Sequence, residues 1–120
     1  VLDWEISTLG DPMADFAYAL NTWTEPDDVL VNRENAATNA KGFCERTQLI
    51  ERYASKTNCD LRDLPYYLSF NHFKTACIIH GVYSRYMQGQ KPTDGVDLDY
   101  YRERIGVSIT MSQQAADLLD

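Results

Sequence analysis

The sequence lacks any run of about 18 consecutive apolar residues, so it offers no candidate for a membrane-spanning helix. Its 120 residues contain no internal repeat and no low-complexity tract, which makes one ordinary globular domain the expected class. Positive charge is scarce, because 11 Lys and Arg stand against 18 Asp and Glu, for a formal net charge of −7. We therefore expect neither a nucleic-acid nor an anionic-membrane surface, since both need clustered basic residues.

Cysteine and histidine are also scarce. The three cysteines, Cys44, Cys59 and Cys77, are widely spaced and form no Cys-x-x-Cys pair, which argues against a structural zinc site. Reduced thiols in a cytoplasmic protein are the simplest account of them, and Cys77 is expected to be a small core residue. His72 and His80 have no carboxylate three or four residues away, so we do not expect them to bind a metal.

The first part of the chain predicts a strand end followed by a helix. Val1 and Leu2 are interpreted as the end of a buried strand. Asp11 is a favourable N-cap, and Pro12 suits the first helical position because it has no amide hydrogen to leave unpaired. The helix that follows is expected to end near Trp23, with one face in the core.

Three further helices are predicted from hydrophobic spacing. Residues 45–57 form an amphipathic pattern that Asn58 closes in the left-handed conformation. The third helix runs from an N-cap at Asp63 to about residue 88 and is apolar around so much of its girth that we expect it to be central. The last helix begins at residue 97 or 98, and residues 29–44 are interpreted as a loop or a weak helical turn.

Acidic residues gather near the start of the chain. Asp3 and Glu5 would point to the same side of a strand, where two carboxylates beside a loop could share a Mg²⁺ ion that binds phosphate oxygens. The alternative is structural: Asp3 caps a turn, Asp11 caps the helix and Glu5 is solvated. Spacing alone favours this structural alternative.

The sequence motif that contains these acids identifies a protein family more specifically than the number of acids does. Val-Leu-Asp-Trp-Glu at 1–5, Gly-Asp-Pro at 10–12 and Asp-Phe-Ala at 15–17 resemble the closing motifs of the aminoglycoside phosphotransferase family. Members of this family are small-molecule kinases with a protein-kinase-like fold. The branch resembled is often fused to, or encoded beside, acyl-CoA dehydrogenases. The similarity continues through residues 46–64 and 66–85 and so covers the chain to about residue 90.

The resemblance implies a mostly α fold. The chain would be the C-terminal helical subdomain of a protein-kinase-like (α+β) phosphotransferase, with a strand remnant at its N-terminus. Residues 1–10 would carry the strand end and the metal-binding loop, and residues 11–120 would form the helical subdomain.

The resemblance also implies roles for single residues. Asp3 matches the acid that ligates the Mg²⁺ ion on the ATP phosphates, and Glu5 replaces the usual glycine, where it is a possible second ligand. Asp15 matches an acid that braces the catalytic loop, and Asp11 matches the acid that caps the helix. The catalytic Asp and a metal-binding Asn belong to a His-Gly-Asp-x-x-x-x-Asn loop, which this sequence lacks and which we expect upstream of Val1.

The implied function is ATP- and Mg²⁺-dependent transfer of the γ-phosphate to a hydroxyl group of a small molecule, with a hydroxyacyl compound as the suggested acceptor. The 120 residues alone are predicted to be inactive. Lys74 and Arg85, on the third helix, could bind an anionic substrate in the acceptor cleft, although such residues more often reach solvent or pair with an acid. The sequence is compatible with a homo-oligomer. The alternative to a kinase function is a non-catalytic helical interaction module.

Overall fold

In the computed structural model, residues 7–25, 28 and 36–119 are described. Within these residues the chain forms four α-helices, as predicted, and two short 3₁₀ turns at Ala37–Asn39 and Asp117–Leu119. The α-helices are α1 (Pro12–Asn21), α2 (Arg46–Thr57), α3 (Leu64–Met87) and α4 (Leu98–Ala116). The mostly helical fold class is therefore confirmed, while the strand remnant expected at residues 1 and 2 lies outside the described residues.

Helix α1 begins as its sequence predicts. The Met13 amide donates a hydrogen bond to the Asp11 carboxylate at 2.9 Å, and Pro12 occupies the first turn. The helix ends at Asn21, near the expected Trp23, and both the amide and the hydroxyl of Thr22 donate to the Ala19 carbonyl, at 3.2 and 3.0 Å.

The ends of α2 and α4 also follow local sequence chemistry. The Glu45 amide donates to the Gln48 side chain at 3.1 Å before α2, and Asn58 closes this helix with φ of 53°. Asp97 caps α4 by accepting a hydrogen bond from the Tyr100 amide at 3.0 Å. At α3, by contrast, the side chain of Asp63 makes no capping hydrogen bond.

The core forms where α1 lies against α2 and α3. Its buried residues are Met13, Phe16, Ala17, Leu20 and Leu64. The ring of Phe16 stacks on Tyr53 of α2, with centroids 3.8 Å apart and planes only 5° from parallel. The predicted core face of α1 is confirmed, and burying it supplies much of the attraction that holds the helices together.

Helix α3 is less buried than its composition suggests. It packs mainly on α4 and α1, and its buried residues are Leu64, Asn71, His72, Ala76 and Ile79. On the opposite side, Tyr66, Phe70, Phe73 and Cys77 are exposed in the described part of the chain. The expectations that α3 is buried around its girth and that Cys77 lies in the core are wrong here, because α1 and α4 cover only one side of the helix.

Candidate functional site

The two acids predicted to bind metal, Asp3 and Glu5, lie outside the described residues. Among the residues that the structure does describe, no three His, Cys, Asp or Glu side chains are grouped as metal ligands. The metal-binding role of Asp3 and Glu5 therefore stays a prediction.

Asp11 lies at the junction of α1 and α3. One of its carboxylate oxygens, Oδ1, accepts the Met13 amide hydrogen bond, and the other, Oδ2, accepts a hydrogen bond of 2.6 Å from the Tyr67 hydroxyl. These two bonds, with that from Tyr67 the stronger influence, lower the pKa of Asp11 below 3.8. The carboxylate therefore caps α1 and ties it to α3, and both of its oxygens are already engaged.

Asp15 lies one turn further along α1 and is exposed. It makes no hydrogen bond or ion pair with any residue of the described ranges. Its negative charge contributes, after burial and the charges of Cys59 and Asp11, to raising the pKa of Tyr53. The predicted bracing of a catalytic loop stays a prediction, and the exposed carboxylate leaves room for such a contact.

A cavity of about 280 Å³ opens beside the start of α1. Three carboxyl groups and two phenol rings line it, from Asp11, Asp60, Asp63, Tyr53 and Tyr67. Asp60 is engaged by Arg62, whose Nε donates to it at 2.5 Å. The wall of this cavity is thus acidic, in keeping with the net charge of the chain.

The structure does not bring Lys74 and Arg85 together. The Lys74 ammonium group lies 4.9 Å from the centre of the Tyr18 ring on α1, in a cation–π contact. Arg85 is exposed in the last turn of α3, eleven residues away, which is about 16 Å along the helix axis. One small anion cannot contact both side chains, so their predicted roles can hold only separately.

Sequence reasoning missed a second, polar cleft between α1, α3 and α4. It has a volume of about 260 Å³, and its walls include Asn21, His72, Thr75, Arg104 and Ser108. These residues are spread over 88 positions of the sequence, from 21 to 108. The one local signal was the presence of a histidine and a serine at buried positions of otherwise apolar helix faces.

The surroundings of His72 in this cleft favour its neutral form. Burial is the first cause that lowers the pKa of His72 below 6.5, and the positive charge of Arg46 lowers it further. The carboxylate of Asp28 acts in the opposite direction on the same pKa. A neutral imidazole carries one donor and one acceptor, so His72 can hydrogen-bond to either kind of group.

Comparison with known proteins identifies a family for the first part of the chain. Residues 1–51 match the phosphotransferase enzyme family, APH. This match contains the motif of Asp3, Asp11 and Asp15 on which the resemblance rests. No solved structure is significantly similar to the chain.

Curated relatives match a larger part of the chain. Acyl-CoA dehydrogenase family member 11 of Gallus gallus is 36% identical over 94 residues, which is 74% of this chain. The Homo sapiens protein of that name is 32% identical over 96 residues, or 78% of the chain. Acyl-CoA dehydrogenase family member 10 of Mus musculus is 35% identical over 102 residues, or 75% of the chain.

The matched region is a small part of each relative. The chain spans 12% of the length of the Gallus gallus and Homo sapiens proteins and 9% of the Mus musculus protein. Both the phosphotransferase family and the branch associated with acyl-CoA dehydrogenases are thus confirmed as predicted from the sequence.

Proposed function

We propose that this chain, which belongs to the phosphotransferase enzyme family, contributes the metal-binding acid and the helical subdomain of an ATP- and Mg²⁺-dependent small-molecule kinase. The observation that carries the proposal is the family match over residues 1–51, which contains the complete Asp-Trp-Glu and Gly-Asp-Pro motifs. The reaction would transfer the γ-phosphate of ATP to a hydroxyl group. Relatives named as acyl-CoA dehydrogenase family members support a hydroxyacyl compound as the acceptor.

Asp3 is the residue that we propose as the principal Mg²⁺ ligand, with Glu5 as a possible second one. Their carboxylate oxygens are the hard ligands that Mg²⁺ takes, so the donor set fits this ion. Asp11 is a weaker candidate, because its two oxygens already accept hydrogen bonds from Met13 and Tyr67. When bound, Mg²⁺ would neutralise charge on the ATP phosphates.

The rest of the chain would act by positioning. Phosphoryl transfer in kinase-like folds depends on orientation and charge neutralisation more than on covalent chemistry by the protein. The Asn71 side chain donates to the Ala14 carbonyl at 3.0 Å, and Asn21 donates to the Thr75 hydroxyl at 2.8 Å. Both bonds fasten α1, the helix that follows the Gly-Asp-Pro motif, to α3.

The 120 residues alone would not transfer phosphate. They contain no His-Gly-Asp-x-x-x-x-Asn sequence and no glycine-rich phosphate loop, which the proposed reaction needs. Asp15, exposed in the first turn of α1, is the acid that we propose to brace the catalytic loop of the complete enzyme.

The test is Asp3→Asn in the complete protein that carries this chain. We expect ATP turnover, measured as ADP release with a hydroxyacyl acceptor, to fall by about 100-fold or more, because one charged ligand of the metal is lost. The melting temperature should be almost unchanged. Asp99→Asn, at an exposed acid on α4, is the matched control and should keep wild-type turnover. Wild-type turnover in Asp3→Asn would refute the metal-ligand role.

A non-catalytic interaction module is the second candidate. The exposed apolar side of α3, formed by Tyr66, Phe70 and Phe73, favours it, because such a surface is suited to contact with another protein or domain. A complete protein that binds no Mg²⁺–ATP in calorimetry, although it is folded, would support this candidate over the kinase.

A further inference from the structure

Two side chains on the wall of the polar cleft between α1, α3 and α4, those of His72 and Ser108, are largely buried but have polar atoms that reach the space of the cleft. His72 is only 6% exposed and Ser108 only 7%, and neither side chain makes a hydrogen bond to any residue of the described ranges. Both line the same 260 Å³ cleft. No fully buried polar atom of the described residues lacks a partner, so the unbonded polar atoms of His72 and Ser108 are open to water or a ligand in the cleft.

Other polar groups in the cleft are already paired. Asn21 donates to Thr75 at 2.8 Å, and the hydroxyl of Thr22 donates to the Ala19 carbonyl at 3.0 Å. His72 and Ser108 thus differ from their polar neighbours, since they are buried and still have hydrogen-bonding capacity left. They lie on different helices, α3 and α4, and face the same space.

The charge of the cleft favours an anion. Arg104 lines it, and no acidic residue of the described ranges does. Of the two charges that act on His72 from outside the lining, that of Arg46 has a larger effect than that of Asp28. The guanidinium group of Arg104 lies 5.6 Å from the centre of the Tyr100 ring and donates to the Tyr100 hydroxyl at 3.4 Å. Tyr100 therefore helps to fix a cation at the rim of the cleft.

We propose that this cleft binds a small oxyanion, a molecule with one carboxylate or phosphate group, through Arg104, with His72 and Ser108 hydrogen-bonded to its oxygens. The cleft, of about 260 Å³, has room for the oxyanion group and a small part of the molecule that carries it. Neither Asp11 nor Asp15 lines the cleft.

The histidines make the proposal testable by nuclear magnetic resonance. The chain has only two, His72 in the cleft and His80 exposed on α3, so isotope-labelled histidine gives one probe and one internal reference. Sodium acetate and sodium phosphate are titrated separately, at a constant ionic strength kept with sodium chloride. We expect a saturable shift of the His72 signal with at least one of the two anions and no saturable shift of His80.

Two variants that remove the same charge distinguish a specific anion site from general electrostatic attraction to the protein. Arg104→Gln should weaken anion binding at least fivefold, while Arg102→Gln should change it by less than twofold. Arg102 is exposed on the same helix, outside the cleft, where it contacts Asp99 at 3.3 Å. Ser108→Ala, which keeps the packing of the buried position, should weaken binding at least threefold.

Each outcome of the titration has a defined meaning. Saturation by acetate alone identifies a carboxylate ligand, and saturation by phosphate alone identifies a phosphate ligand. No saturable shift with either anion, or equal weakening by Arg102→Gln and Arg104→Gln, would overturn the proposal. The titration measures anion binding without ATP turnover, so a failure of the proposed kinase function and a failure of this site can be told apart.

Discussion

Arg46 joins the segment after α1 to the start of α2, and we predict that Arg46→Gln lowers the free energy of unfolding by about 2 kcal/mol. Its guanidinium Nε and Nη2 both donate to the Trp23 carbonyl, at 3.1 and 2.7 Å. The same group forms an ion pair with Asp28 and lies 3.5 Å from Glu25. One side chain thus holds three residues that precede α2.

The size of this stability loss follows from the partial burial of the Arg46–Asp28 ion pair. The side chains of Arg46 and Asp28 are 25% and 15% exposed, so water screens their attraction only in part. An exposed ion pair contributes about 0.2–1 kcal/mol, whereas removal of one partner from a buried pair costs about 3–5 kcal/mol. The Arg46 pair lies between these limits. For a domain of this size, a loss of about 2 kcal/mol lowers the melting temperature by about 8 °C.

Urea unfolding followed by circular dichroism measures this loss. Arg52→Gln is the matched control, since it removes the same charge from an exposed position of α2 and should change stability by less than about 0.5 kcal/mol. Asp28→Asn should lose part of the same free energy, and the double variant Arg46→Gln/Asp28→Asn should lose less than the sum. Equal effects of Arg46→Gln and Arg52→Gln would refute the reasoning.

Two further predictions concern protonation. Because burial lowers the pKa of His72 below 6.5, the unfolded chain binds more protons between the two values, so stability should rise with pH up to about 6.5. His72→Gln should flatten this rise in urea midpoints, whereas His80→Gln should not, and an unchanged slope in His72→Gln contradicts the reasoning. Tyr67→Phe removes the hydrogen bond from the Tyr67 hydroxyl and should raise the pKa of Asp11 toward 3.8 in a carboxyl titration by nuclear magnetic resonance. Tyr66→Phe is the control. An unaltered Asp11 pKa in Tyr67→Phe would refute the importance of the Tyr67–Asp11 hydrogen bond.

Helix ends could be predicted because their causes are local. Asp11 and Pro12 start α1, and Asn58 closes α2, through hydrogen bonds and backbone conformations that involve only a few neighbouring residues. The end of α1 was predicted only to within two residues, near Trp23 rather than at Asn21. The Thr22 hydroxyl donates to the Ala19 carbonyl beside the Thr22 amide, and hydrophobic spacing does not reveal such a side-chain bond.

Burial of α3 could not be predicted from its composition. The stripe of Tyr66, Phe70, Phe73 and Cys77 has helical spacing, but α1 and α4 pack on the other side, around Ala76 and Ile79. Hydrophobic period shows which residues share a face, whereas the choice of the covered face depends on where neighbouring helices lie. The 260 Å³ cleft was missed for the same reason, since three separate helices create it.

For the acids near the start of the chain, the structure gives information on their roles that the sequence motif alone does not. Spacing alone left two interpretations of Asp3 and Glu5, a shared metal site or a turn cap beside a solvated acid, and assigned Asp11 to capping. The two hydrogen bonds to Asp11, from Met13 and Tyr67, give this residue a structural task at the junction of α1 and α3. A carboxylate that must keep both bonds to hold two helices together is poorly suited to release them for a cation. The argument for metal binding therefore falls on Asp3, whose position in the family motif is the reason to mutate it first.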